Sequence, residues 1–106
     1  MTPLNRGDVC LVDLGMAAKA RPCVILSISK ADSQRNMSVI APLTSQPRGG
    51  ECEVPFTKPP WLFDVSVINL IGLGGVDNAK LGRFIGRMKP ETMEAVSKSL
   101  VRMLGL

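Results

Sequence analysis

The chain has no histidine and no tyrosine, and only three phenylalanines and one tryptophan among 106 residues. Without histidine, Ser-His-Asp and Cys-His nucleophilic chemistry and paired-histidine nuclease chemistry are excluded. The three cysteines, Cys10, Cys23 and Cys52, are scattered and odd in number. No close cysteine pair suggests a zinc site, and buried free thiols in a reducing compartment are the expected state. No apolar run is long enough to span a bilayer. Asn5, Arg6, Gly7 and Asp8 interrupt the start, so no basic-then-apolar leader opens the chain. The expectation is a cytoplasmic protein without membrane contact. Catalysis, if present, must use Arg, Lys, Asp, Glu, Ser or Thr, or groups of the substrate itself.

An apolar content of 45% argues for a folded globule. The length predicts one domain over residues 1–106. The net charge of +4 is uneven. Residues 1–77 balance, and the excess lies in residues 78–106, where Lys80, Arg83, Arg87, Lys89, Lys98 and Arg102 face only Glu91 and Glu94. Such a field favours a polyanionic partner, nucleic acid or an acidic peptide, although a solvated surface explains it equally well.

Along the chain, Asp8–Leu14 reads as a first strand. Two further strand-like runs, Cys23–Ile28 and Val39–Leu43, flank the polar stretch Ser29–Ser38 and read as a hairpin with a long loop. Pro42 marks an edge or a bulge in the second of them. In an antiparallel hairpin the start of one strand lies beside the end of the next, so Arg21 and Thr44 are predicted neighbours. A guanidinium beside a hydroxyl suits a phosphate, because one supplies a forked cationic donor and the other a donor that rotates. The turn Gln46–Gly50 carries Arg48, and a short strand follows over Glu51–Phe56. Pro55, Pro59 and Pro60 force an irregular connection.

Val65–Ile71 reads as another strand, broken by Gly72, Gly74 and Gly75. No Gly-Lys-Ser/Thr element follows these glycines, so a sheet bend or bulge fits better than a phosphate cradle. Leu81–Met88 reads as the last strand, with Phe84, Gly86 and Met88 on one face and Arg83, Ile85 and Arg87 on the other. The tail is the one clear helix: Pro90 at its first turn, Met93, Val96, Leu100, Met103 and Leu104 at helical spacing, and Gly105 as its stop. Short strands with a terminal helix predict a mostly β fold, a small barrel.

The ordered set Arg6-Gly-Asp-Val, Val12-Asp-Leu, Arg21-Pro22 before an aliphatic strand, Ala41-Pro-Leu-Thr-Ser45, Leu81-Gly-Arg and Pro90-Glu-Thr-Met resembles the MazF/PemK/Kid toxin family over essentially the whole chain. The resemblance implies an SH3-like (CcdB/PemK-type) β-barrel with a C-terminal helix, as a homodimer. It implies a toxin that cleaves single-stranded RNA with neither metal nor cofactor, restrained by a cognate antitoxin with an acidic tail. The family's recurrent active-site pair falls on Arg21 and Thr44. Ser45, Asn69 and Arg48 are the expected substrate contacts. Where many members carry a polar Gln-Ile-Arg-Thr run, this chain has Gly72-Leu73-Gly74-Gly75.

RNA brings its own nucleophile, the 2′-hydroxyl, so the expected products are a 2′,3′-cyclic phosphate and a 5′-hydroxyl. Glu53 and Asp13 are the carboxylates available as a base, though a solvated strand face explains Glu53 as well. Trp61 either stacks on a nucleobase or packs against the barrel. The competing function is a binding-only toxin, acting on a protein target such as DNA gyrase as CcdB-like relatives do, or holding RNA or antitoxin without cleavage. A structural SH3-like domain is the third reading.

Overall fold

The computed structural model describes residues 4–15, 20–28 and 36–106. Most of the expected loop Gly15–Ala20 and of the connection Ser29–Ser38 lies outside the described residues. The elements are β1 (Asp8–Val12), β2 (Arg21–Ile25), β3 (Met37–Thr44), β4 (Glu53–Pro55), β5 (Val67–Asn69), β6 (Gly74–Asp77), β7 (Leu81–Arg87) and α1 (Pro90–Leu104).

The strands form one antiparallel sheet in the order β4-β5-β3-β2-β1-β7, with β6 also paired to β3. β3 is its axis. One edge of β3 carries β2, and the other carries β6 and then β5, end to end. Between the pairs Ile40↔Gly74 and Leu43↔Ile68, β3 advances three residues and its partner six. The surplus is a 3-10 turn, Leu70–Gly72, which drops Leu70 into the core and leaves Ile71 exposed. The glycines therefore mark a bend, and the chain resumes pairing beyond it as β6, a strand too short and glycine-rich to announce itself. Pro42, which has no N–H to offer, stands opposite the insertion, where bulges accommodate proline. Gly72 fits closely there: a Cβ would lie 3.0 Å from Asn69 Nδ2 and 3.1 Å from Pro42 Cγ, so a larger residue would press on both side chains.

Burial follows strand parity. Val9, Val24, Ala41, Leu43, Val54 and Ile68 point into the main core, which α1 closes with Met93, Val96, Leu100 and Met103. The alternate residues Cys10, Val12, Cys23, Ile25 and Ile40 form a second cluster on the opposite face. In β7 the expected alternation fails. Val9 opposes Gly86 and Cys10 opposes Phe84, so Ile85 is an extra, bulged residue. Ile85 turns onto the main core while Phe84 remains half-exposed. Leu104, expected in the helix stripe, is also exposed. Gly105 ends α1 in the left-handed conformation, φ 71°, as expected of a helix stop.

β4 and β7 do not pair, so the sheet is barrel-like rather than closed. The segment after β4 brings Trp61 onto β7, where the indole lies so close to Gly86 that a Cβ there would fall 2.2 Å from the ring. Trp61 thus packs against the barrel, and Gly86 is the floor that admits it. The Gly86→Ala variant is expected to lose about 1–3 kcal/mol of stability through overpacking. Urea denaturation followed by Trp61 emission measures this, and an unchanged midpoint would contradict the packing.

Cys10 and Cys23 are cross-strand partners and fully buried. Burial pushes the Cys10 thiol up to about 11 and the Cys23 thiol up to about 12. Above about pH 9 the unfolded chain ionises these thiols while the folded chain keeps them protonated. Stability is therefore expected to fall as pH rises from there. At pH 8, iodoacetamide is expected to modify partly exposed Cys52 and to spare Cys10 and Cys23 until denaturant is added, as read by mass spectrometry.

Candidate active site

β2 and β3 pair as Cys23↔Pro42, Val24↔Ala41 and Ile25↔Ile40. Continued by two residues, the same register sets Arg21 against Thr44. Directly opposed residues share a face, and both lie on the face away from the main core, in line with Cys23, Ile25 and Ile40. Across the sheet the row runs on: Val12 pairs with Arg21, Thr44 with Val67, and Val67 with Pro55. Arg21 is exposed at the start of β2, and Thr44 is half-buried at the end of β3. Thr44 Oγ1 accepts from the Gln46 N–H at 3.1 Å, which fixes the side chain and leaves its own O–H free to donate.

β3 and β4 are both antiparallel to β5, and hence parallel to each other. The connection Ser45–Cys52 must return from one end of the sheet to the other. Between it and β5 lies an open groove of about 530 Å³, lined by Thr44, Gln46, Arg48, Glu53, Asn69 and Ile71 among others. Asn69 and Glu53 are register partners on the same outer face as Thr44. Of the expected substrate contacts, Arg48 and Asn69 therefore meet Thr44 in the groove. Ser45 is exposed just beyond Thr44 but is not a groove residue, and Arg21 stands outside the groove at its Thr44 end.

The carboxylates are otherwise engaged. Glu53 Oε1 accepts from the Gly49 N–H at 2.8 Å and Oε2 from the Arg48 N–H at 3.0 Å. Glu53 is thus the clamp of the Arg48–Gly49 turn, whose Gly49 has φ 73°. Asp13 Oδ1 accepts from the Gly15 N–H at 2.9 Å and closes its own turn. Asp8 is buried, with Oδ1 2.7 Å from Arg87 Nε and Oδ2 accepting from the Asn5 N–H at 2.7 Å. Neither Glu53 nor Asp13 is directed at Arg21 by these bonds.

Sequence reasoning missed Gln46 as a groove residue and Glu53 as the clamp. The available signal was the spacing itself: a carboxylate four residues after Gly49 can reach back to a turn's exposed N–H groups. Glu53→Ala is expected to accelerate amide exchange at Arg48 and Gly49 while shifting global stability by no more than about 1–2 kcal/mol. Hydrogen exchange followed by NMR is the check, and unchanged protection at both amides would contradict the clamp.

The sequence profile of a family described as PemK-like, MazF-like toxin of type II toxin–antitoxin system matches residues 5–104. Among solved structures, a mycobacterial endoribonuclease in complex with its cognate antitoxin superposes with a TM-score of 0.84 at 26% identity, over 98% of this chain and 97% of that one. The Mycobacterium tuberculosis toxin MazF-mt6 gives 0.81 at 25% identity, over 93% and 97%. A MazE–MazF structure from Deinococcus radiodurans gives 0.81 at 18% identity, over 100% and 99%, a likeness of fold.

Proposed function

The chain belongs to the PemK-like, MazF-like toxin family of type II toxin–antitoxin systems, and from that premise we propose that it is an endoribonuclease that cleaves single-stranded RNA at short sequence motifs without a metal. The observation that carries this reading is the β2–β3 register, which aligns Arg21 with Thr44 at the head of the groove.

In the proposed reaction the RNA 2′-oxygen bonds to the adjacent phosphorus and the bond from phosphorus to the 5′-oxygen breaks. The 2′-proton leaves to solvent or to a base not assigned to a side chain, and the departing 5′-oxygen takes up a proton. Products are a 2′,3′-cyclic phosphate and a 5′-hydroxyl. Arg21 balances charge on the phosphate oxygens and hydrogen-bonds the leaving oxygen. Thr44, held through Oγ1 by the Gln46 N–H, donates its hydroxyl proton to orient the scissile phosphate. Arg48, Asn69 and Ser45 contact the flanking nucleotides. The protein partner is an antitoxin whose acidic tail occupies the same groove, and the working form is a homodimer.

A second reading, a toxin that only binds its target, is favoured by one observation. Ile71 is 70% exposed on the groove wall, beside the Gly72–Gly75 stretch where the family resemblance implies a polar run.

The test is incubation of a long mixed-sequence RNA with the purified protein in EDTA, beside Arg21→Ala and Arg21→Lys. Wild type is expected to cut at recurring short motifs and Arg21→Ala to be slower by about 10²–10³-fold. Arg21→Lys is expected to fall well below wild type, because an ammonium lacks the fork. No cleavage by wild type would move the weight to the binding-only reading.

A further inference from the structure

Aromatic side chains are scarce in this chain, and most of them lie against the fold. Trp61 is seated on Gly86, Phe56 packs on the main core, and Phe84 lies half-exposed on β7 opposite Cys10. Phe63 is the exception, at 94% exposed. A ring left in water to that degree adds no packing to the fold, and both of its faces are free. The ring is nevertheless carried on an anchored segment. Leu62, just before it, is buried in the main core and donates its N–H to Pro59 O at 3.1 Å. Ser66, just after it, is buried and donates its hydroxyl to Asp64 O at 3.1 Å. Little order then remains to be imposed when a partner stacks on the ring.

The fold sets this ring beside the proposed phosphate site. The connection that bears it leaves β4 at Pro55 and re-enters the sheet at Val67, and these two are register partners. Val67 in turn pairs with Thr44. Phe63 precedes Val67 by four residues, so it lies no more than about 14 Å from that point of the Arg21–Thr44 row. Between Val65 and Ile71 burial alternates. Ser66, Ile68 and Leu70 are buried, whereas Val65, Val67, Asn69 and Ile71 lie on the side of Thr44. Val65 and Ile71 are each well exposed. The outer face of β5 is therefore an apolar strip with one amide, running from the groove past Thr44 toward Phe63.

We propose that Phe63 is a stacking platform for an unpaired nucleobase of the strand whose phosphate sits at Arg21 and Thr44, with neighbouring bases laid along the outer face of β5. The inference rests on the ribonuclease reading and names how that site holds its bases. Continuity with the Arg21–Thr44 pair selects a nucleic-acid strand, because a cation for the backbone beside an open aromatic face is what a single strand requires. Stacking tolerates every base, since each has a π-face. Phe63 thus supplies affinity, and the choice of sequence falls to Asn69 and the turn at Arg48.

The experiment measures, by fluorescence anisotropy, binding of a short fluorescein-labelled mixed-sequence RNA methylated at every 2′-oxygen, which cannot be cut. Cleavage of the unmethylated RNA is followed in parallel. Phe63→Ala is expected to weaken binding about tenfold and to raise KM by a like factor with kcat little changed, because a stacked flanking base stabilises ground and transition states alike. Phe63→Tyr, which keeps the ring, is expected to bind as wild type does. Phe63→Leu, which keeps bulk without a flat face, is expected to fall with Phe63→Ala. The salt dependence of binding is expected to be unchanged in Phe63→Ala and shallower in Arg21→Ala, because only the latter loses a phosphate contact. An abasic strand of the same length is expected to bind wild type and Phe63→Ala equally. Phe63 is nearly free of contacts, so its truncation leaves the fold intact, and circular dichroism verifies this.

The proposal is overturned by wild-type affinity in Phe63→Ala, by equal affinity of Phe63→Leu and Phe63→Tyr, or by the same loss on the abasic strand. It is also overturned if Phe63→Ala alters the sedimentation of the free protein, which would make the ring a contact between copies of the chain. Cleavage indifferent to Phe63 would sink the stacking alone, and Phe63-dependent binding without cleavage would sink the ribonuclease reading alone. Absence of both binding and cleavage by wild type would remove the two together.

Discussion

The register of β2 against β3 is the constraint on which the rest depends. Three pairs, Cys23↔Pro42, Val24↔Ala41 and Ile25↔Ile40, carry it. Side chains alternate along a strand, so a slip of one residue would carry Arg21 to the face of the main core. The slip is blocked from both sides of the sheet. Val24 and Ala41 are fully buried in the main core, and Cys23, Ile25 and Ile40 are buried in the second cluster. Moving the strand would exchange the two apolar sets between clusters of different shape and turn the Arg21 cation toward the main core, so mispacking and an unpaired buried charge both oppose it. The same burial that stabilises the sheet therefore holds a surface cation opposite a surface hydroxyl.

The groove depends on a second constraint, the insertion between β5 and β6. Leu70 leaves the strand line to enter the core, and Asn69 and Ile71 are left on either side of it facing the groove. The connection Ser45–Cys52, which crosses back to β4, is fastened at its far end by the Glu53 carboxylate and by the Leu70 N–H donating to Cys52 O at 2.8 Å. Trp61 plays the matching part at the open seam between β4 and β7. Trp61 on Gly86 joins segments far apart in sequence where two groups come close, whereas the Glu53 clamp is local and relies on the left-handed φ of Gly49.

Much of this was legible in the chain itself. Apolar runs located β1, β2 and β3, a short alternating stretch located β4, the 3.6-residue stripe located α1, and the hairpin alone brought Arg21 to Thr44. The failures have two causes. β6 and the bulge at Ile85 depend on long-range pairing that local pattern does not encode, whereas the Glu53 clamp is local and was written in its spacing to the turn. Gly74 and Gly75 carry no side chains to alternate, and Ile85 changes face only because Val9 and Cys10 oppose Gly86 and Phe84. Family resemblance supplied roles for Arg21 and Thr44, whereas the groove that unites Thr44 with Arg48 and Asn69 is a property of the fold.

The most direct measurement is a double-mutant cycle on single-turnover RNA cleavage, using Arg21→Ala, Thr44→Val and the pair. If both side chains act on one phosphate, the double variant is expected to be little slower than Arg21→Ala alone. Losses that simply multiply would mean that the two residues act independently, and would contradict the account.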